Sequence, residues 1–259
     1  MVPDTVPGTP RKILGKNPAT SRETFATLSP LTLQMPRKPR FAPAGYYLHL
    51  TQRGNYRQTT FHCDLDHHMF QQILTERAEA NRIQVLAYCH MPNHYHLIAR
   101  SQDPGGIPAF MRGLNGQYAR YLHGRLVRRG RLWQDRYYSS VLSTAHLIRA
   151  MRYVELNPVR ANFVPFAADY AWSSARLHCG ITAPENELIC MDHETFAYYY
   201  PTQHLWREFL QAGETRHEIS AIRHALRAEL PLGDAAFVEE LKARFPSEFD
   251  GKLALAQAA

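Results

Sequence analysis

Ile83-Gln84-Val85-Leu86-Ala87-Tyr88-Cys89, a break at Met91-Pro92-Asn93, and His94-Tyr95-His96-Leu97-Ile98-Ala99 read as two strands of a tight hairpin. Apolar residues flank the two histidines and each run is short, which favours strand over helix. On a strand, residues i and i+2 point to the same face, so His94 and His96 present two imidazoles to one ion. Further on, Leu147-Ile148-Arg149-Ala150-Met151-Arg152-Tyr153-Val154-Glu155-Leu156-Asn157 reads as a helix that stops before Pro158. Tyr153 and Asn157 stand four apart and leave one face of it. If that face packs over the histidine strand, a metal ligand and a tyrosine nucleophile meet.

Working outward, Tyr46 to Gln52 has a strand pattern that Arg53-Gly54-Asn55 punctuates. Residues 65–82 are helical in pattern, with Phe70, Ile73 and Leu74 toward a core and Asp64 as the expected N-cap. A second helix runs from Ile107 to about Val127, and a fourth strand lies near Tyr137 to Leu142. Strand, helix, strand, strand, helix, strand predicts an α+β fold, a ferredoxin-like split βαβ arrangement with an antiparallel sheet. After Trp172-Ser173-Ser174 the character changes. Residues 216–230 and 234–245 read as two acidic amphipathic helices, a small helical extension at the C-terminus. The expected organisation is a disordered extension over 1–34, rich in Pro, Thr and Ser, a catalytic domain over 35–180 and an acidic helical region over 181–259. Met35 is an alternative start.

A chain of 259 residues with 45% hydrophobic content can bury a core. It has no apolar run of the roughly 20 residues that a membrane helix requires, so a soluble, cytoplasmic protein is expected. Cys63, Cys89, Cys179 and Cys190 form no Cys-x-x-Cys pair and read as reduced thiols. The net charge of +7 is unevenly spread. Residues 41–180 hold 16 basic residues, all arginine, against 8 acidic ones, whereas 181–259 hold 7 basic against 13 acidic. Arginine's planar fork suits phosphate contacts and stacking on bases, so the middle segment points to a polyanion partner.

Several readings of these residues stay open at this level. The histidines could be ordinary half-exposed strand residues, or could join Cys89 or His90 in a closed zinc site. Tyr118 and Tyr121 are rival nucleophiles. Arg125, Arg128, Arg129, Arg131 and Arg136, beside Trp133, Tyr137 and Tyr138, suit contact with a nucleic-acid strand or a solvated basic face. Arg53 and Asn55 could steer a phosphate or simply make a turn.

At Arg53-Gly54-Asn55, Met91-Pro92-Asn93-His94-Tyr95-His96, Gly130-Arg131-Leu132-Trp133-Gln134-Asp135-Arg136-Tyr137, Arg152-Tyr153-Val154-Glu155-Leu156-Asn157-Pro158-Val159-Arg160-Ala161 and Trp172-Ser173-Ser174, the chain resembles the REP-associated tyrosine transposases, a branch of the single-tyrosine HUH transposases of bacterial insertion sequences. The ordered set spans about residues 36–178. The resemblance implies an HUH catalytic domain that cuts and rejoins single-stranded DNA beside hairpin-forming, REP-like palindromes. It gives His94, His96 and Asn157 the metal-ligand role and Tyr153 that of nucleophile. Asparagine here stands where insertion-sequence relatives usually carry glutamine. The cofactor implied is Mg²⁺ or Mn²⁺, which suits two imidazoles and an amide oxygen with the rest of the shell open.

The product implied is a 5′-phosphotyrosine with a free 3′-OH. Arg149 and Arg152 are expected helpers of the tyrosine and, with Arg53, Asn55, Arg125, Arg128, Arg129, Arg131, Trp133 and Arg136, complete the expected DNA-contacting set. The expected partners are single-stranded or hairpin DNA, bound by a monomer or homodimer that associates with the bacterial nucleoid. The competing class is a domesticated protein that binds hairpin DNA or RNA without cutting it.

Overall fold

The structure, a computed structural model, describes residues 40–182 and 202–249. The expectations for residues 1–34, Met35 and Cys190 lie outside the described residues. Strands β1 (Tyr47–Arg53), β2 (Ile83–Met91), β3 (His94–Ser101) and β4 (Tyr138–Leu142) form one sheet in the order β2-β3-β1-β4. Every neighbouring pair is antiparallel. Helix α1 (Asp64–Ala80) links β1 to β2, and α2 (Gly106–Leu126) links β3 to β4. With β3 lying between β1 and the strand beyond it, this is the ferredoxin-like split βαβ arrangement that the order of elements predicts.

Alternation along the strands makes two cores, one on each face of the sheet. Leu48, Leu50, Tyr95, Leu97, Ala99 and Val141 pack under α1 and α2 against Phe70, Leu74, Phe110 and Leu114. Tyr47, Cys89, Met91, Ile98 and Leu142 face the other way, toward Leu147, Met151 and Val154 of α3 (Thr144–Glu155). The register of β2 against β3 shifts between Val85 and Ala87. That irregularity lets Val85 sit in the first core and Ala87, two residues on, in the second.

Two local details differ from the sequence reading. Asp64 is the first residue of α1 rather than its N-cap, a position held by Cys63 without a side-chain bond. Asp66 accepts the His62 N–H at 2.8 Å in its place. The tyrosine helix ends at Glu155, and after Leu156 a separate turn, α4 (Asn157–Arg160), begins with Pro158 in its first turn. Proline lacks an N–H and clashes with the preceding turn, so it opens a helix more readily than it continues one.

The C-terminal part packs on this sheet. Beyond α5 (Ala175–His178) come α6 (Gln203–Gln211), which the sequence reading did not anticipate, α7 (Arg216–Ala228) and α8 (Ala235–Arg244). Trp206, Leu210, Ile222 and Leu226 complete the core under α3. After α7 the chain runs beside β4: Leu232 N–H donates to Val141 O at 2.7 Å, and Ser143 N–H donates to Leu232 O at 3.0 Å. Ser140 Oγ donates to Leu230 O at 2.6 Å. These bonds cover the otherwise open edge of the sheet, where unpaired backbone groups invite aggregation.

A buried carboxylate ties the second core together. Glu155, at the end of α3, is fully buried and accepts from Ser174 Oγ at 2.5 Å, His178 Nδ1 at 2.5 Å and Trp206 Nε1 at 2.8 Å. Of the described cysteines, Cys89 and Cys179 are buried, Cys63 is exposed, and all three are free thiols. Among the described residues no helix is long and apolar enough to cross a membrane.

Candidate active site

His94 and His96 leave β3 on the same side as α3, and Tyr153 leaves α3 toward them. The His96 and Tyr153 rings meet edge to face with centroids 5.8 Å apart. The His94 and His96 rings are 5.2 Å apart and nearly perpendicular. A cavity of about 700 Å³ opens at this point, and His94, His96, Tyr153 and Asn157 all line it. Across the break at Leu156, Asn157 therefore keeps the placement that its spacing from Tyr153 suggested.

The hydrogen bonds around these groups determine which atoms remain for a ligand. Asn93 Nδ2 donates to Arg57 O at 3.2 Å, which orients the amide so that Oδ1 lies 2.7 Å from His94 Nδ1. His94 Nδ1 is then the protonated nitrogen, and its Nε2 keeps a lone pair. His96 Nδ1 lies 2.9 Å from Nε2 of the buried His49 on β1, so Nδ1 of His96 is likewise engaged and Nε2 is the nitrogen left over. Asn157 Nδ2 donates to Tyr153 O and Val154 O, each at 3.1 Å, leaving Oδ1 as the amide's acceptor. Two imidazole Nε2 atoms and one amide oxygen fit a divalent cation, and the Nδ1 partners are the kind of second shell that fixes tautomer and ring orientation.

Burial keeps these rings neutral. It lowers His94 to about 4, with Arg53 and Arg160 adding to the effect. His96 is pushed well below 6.5 by burial and by His49 and His94, and His49 is held at about 3 by burial and Arg160. Neutral imidazole is the form that binds metal. A closed zinc site is not built here: among the described residues no three His, Cys, Asp or Glu side chains cluster to hold an ion. His90 faces the other core, stacked 5.7 Å from Phe61.

Arginines surround the tyrosine, but they are not the ones expected. Arg160 lies 4.0 Å over the Tyr153 ring, donates to Tyr153 O at 2.6 Å, and is held by an ion pair with Glu214. Arg223 of α7 donates through Nε to the Tyr153 hydroxyl at 3.4 Å. Arg53, Arg57 and Arg227 complete the basic lining of the cavity. Arg149 and Arg152 do not line it. Arg152 is buried, pairs with Glu218 at 2.8 Å and stacks 4.0 Å from Phe209, and exposed Arg149 approaches the same carboxylate at 3.8 Å. An (i, i+4) partner was visible for Tyr153 in the sequence. His49, Arg160 and Arg223 were not singled out, since their roles depend on contacts across 7 to 70 residues of chain, and Asn93, although adjacent to His94, is oriented by Arg57 O, 36 residues away.

The other residues expected at DNA divide in two. Arg128, Arg129, Arg131 and Arg136 are exposed on the segment between α2 and β4. Arg125 bonds buried Asp66 at 2.6 Å, and Trp133 donates to Asn115 O at 3.0 Å while its ring packs 5.8 Å from Tyr95. Arg125 thereby ties α2 to α1, and Trp133 ties the segment before β4 to α2 and the sheet. Asn55 donates its backbone N–H to Leu132 O at 2.8 Å, so the Arg53-Gly54-Asn55 turn also holds that segment. Gly54 is required there because a Cβ would lie 2.3 Å from Gln58 O. The rival tyrosines are engaged elsewhere: Tyr118 donates to Thr60 O at 2.6 Å and Tyr121 to Asp66 at 3.0 Å.

Residues 44–157, which carry the four-stranded sheet, the histidine pair and the tyrosine helix, match the IS200-like transposase family. Among solved structures, a REP-associated tyrosine transposase bound to a REP hairpin is 15% identical over 61% of this chain and 96% of its own, with a TM-score of 0.49. A candidate transposase from Deinococcus radiodurans R1 is 24% identical over 46% of this chain and 95% of its own, with a TM-score of 0.34. No curated protein matches the chain.

Proposed function

We propose that this protein is a transposase of the REP-associated type: a metal-dependent enzyme that cleaves and rejoins single-stranded DNA beside a hairpin through a covalent link to Tyr153. The observation that carries the reading is the convergence on one cavity of Tyr153, two histidines with Nε2 left open, and the Asn157 amide oxygen. His94, His96 and Asn157 would hold Mg²⁺ or Mn²⁺, which when bound supplies positive charge to the oxygens of the scissile phosphate.

The chain's own groups carry the remaining work. Tyr153 Oη attacks phosphorus, the Oη–P bond forms and the P–O3′ bond breaks. The phenolic proton passes to solvent and the departing 3′ oxygen takes one up. Arg53 and Arg57 at the cavity wall suit the flanking phosphates, and the exposed arginines 128, 129, 131 and 136 suit the hairpin backbone. A later 3′-OH attacks the phosphotyrosine and expels the tyrosine, so ligation needs no nucleotide cofactor. Incubating the protein with Mn²⁺ and an end-labelled single-stranded hairpin oligonucleotide from the flanks of its own gene tests this. Wild type should give an adduct on a denaturing gel, and Tyr153→Phe should bind the hairpin without forming one. Tight binding with no adduct in wild type favours the non-cleaving binding protein.

A further inference from the structure

We infer that Arg223, contributed by the C-terminal helix α7, is a catalytic residue that stabilises negative charge on the Tyr153 oxygen during strand cleavage and rejoining. The inference rests on the tyrosine reading above and adds to it a group from outside residues 44–157.

The position of α7 is fixed independently of any ligand. Its N-terminus carries a capping box in which Thr215 and Glu218 bond reciprocally. Glu218 also receives Arg152 of α3 at 2.8 Å. Ile222 and Leu226 are buried in the core under α3, and the chain after α7 bonds along β4. With that face inward, Arg223 and Arg227, one turn apart, both reach the cavity that Tyr153 lines.

Two arginines touch the tyrosine, and they touch different parts of it. Arg160 covers the ring face and is neutralised by Glu214, so its charge is largely spent on the fold. Arg223 points at the hydroxyl oxygen, and its side chain makes no carboxylate ion pair among the described residues. The one acidic residue near it on the same helix, Glu218, already serves Arg152 and Arg149.

An N–H donor held on a phenol oxygen bonds a phenolate far more strongly than a phenol, because the acceptor gains charge as the proton leaves. Arg223 keeps its own protons throughout. In cleavage the Oη–P bond forms as P–O3′ breaks, and the phenolic proton goes to solvent. In rejoining the incoming 3′-OH loses its proton, the O3′–P bond forms, and Oη departs as an anion facing the same guanidinium. Loss of Arg223 should therefore slow both directions, a signature that a residue used only to bind DNA does not share.

The test compares wild type, Arg223→Gln and Arg223→Ala in single-turnover adduct formation with Mn²⁺ and a saturating hairpin oligonucleotide, and in rejoining from the isolated adduct. Both rates are expected to fall by about ten- to a hundredfold, the loss of one hydrogen bond to a charged oxygen, hairpin affinity should stay within about twofold, and added methylguanidinium should restore Arg223→Ala. Unchanged rates at saturation would overturn the inference, as would a defect cured by raising the DNA concentration. A wild type that forms no adduct refutes the tyrosine reading, and this inference with it. A wild type that does, with variants of equal rate, refutes this inference alone.

Discussion

Replacing Glu155 tests the claim that a single buried carboxylate holds the C-terminal helices to the tyrosine helix. Its three donors are Ser174 Oγ, His178 Nδ1 and Trp206 Nε1, and all are buried. In Glu155→Ala the serine hydroxyl can turn to Tyr88 O, 3.3 Å away, so it is not stranded. The indole N–H and the imidazole N–H lose their acceptor. Each lost hydrogen bond to the charged acceptor costs about 1.5–3 kcal/mol, and the small cavity adds to that, for a total of about 4 kcal/mol. Glu155→Gln keeps one acceptor oxygen but turns an NH₂ toward a donor, so about 2 kcal/mol is expected. Against a total stability of about 5–15 kcal/mol for a domain, both losses are readily measured in urea. Because Glu155 faces the core and not the cavity, Glu155→Gln should still form the Tyr153 adduct when folded. Losses under about 1 kcal/mol for both variants would show that the carboxylate does not hold these helices together. A fully stable Glu155→Gln that makes no adduct would instead place the carboxylate in the chemistry.

Asn93→Ala removes the acceptor that fixes His94, so Mn²⁺ affinity measured by paramagnetic resonance should fall about 10- to 100-fold. Unaltered affinity would show that the Asn93–His94 bond does not prepare the ligand. Burial holds His49 at about 3 and His67 at about 4, and keeps His90, whose ring nitrogens lack partners, well below 6.5. In the unfolded chain each titrates near 6.5, so between that pH and about 4 the unfolded state binds more protons and stability rises with pH. Acidification from pH 7 to 5.5 should remove about 1.3 kcal/mol per ring, or about 4 kcal/mol for the three. A flat urea midpoint across that range would contradict their neutral burial. Arg128→Ala with Arg129→Ala, both exposed, should weaken hairpin binding and reduce its salt slope by about 2. An unchanged slope would remove them from the phosphate surface.

The sheet was legible because its strands are short apolar runs, and because Arg53-Gly54-Asn55 and Met91-Pro92-Asn93 punctuate them. The cavity-lining set of His94, His96, Tyr153 and Asn157 was legible because its members lie two and four residues apart, spacings that strand and helix geometry turn into shared faces. What the spacing could not show is how long-range contacts divide the arginines. Arg152, adjacent to Tyr153, is buried against Phe209 and pairs with Glu218, and Arg149, one turn before the tyrosine, is exposed and approaches the same carboxylate. Arg223 lies 70 residues from Tyr153 and reaches it through the packing of α7, which was expected to be an acidic helix but carries three arginines against one glutamate. Trp133 and Arg125 looked like nucleic-acid contacts by residue type. Their partners, Asn115 O and Asp66, are local features of a core that composition does not reveal.

Which oxygen becomes linked to DNA decides whether Tyr153 is the nucleophile. The decisive measurement is peptide mapping by mass spectrometry of the adduct formed with Mn²⁺ and the hairpin oligonucleotide. It should find the 5′-phosphate of the cleaved strand on Tyr153, with a free 3′-OH on the other fragment. A nucleotide on Tyr118 or Tyr121, or cleavage that leaves no residue modified, would contradict it.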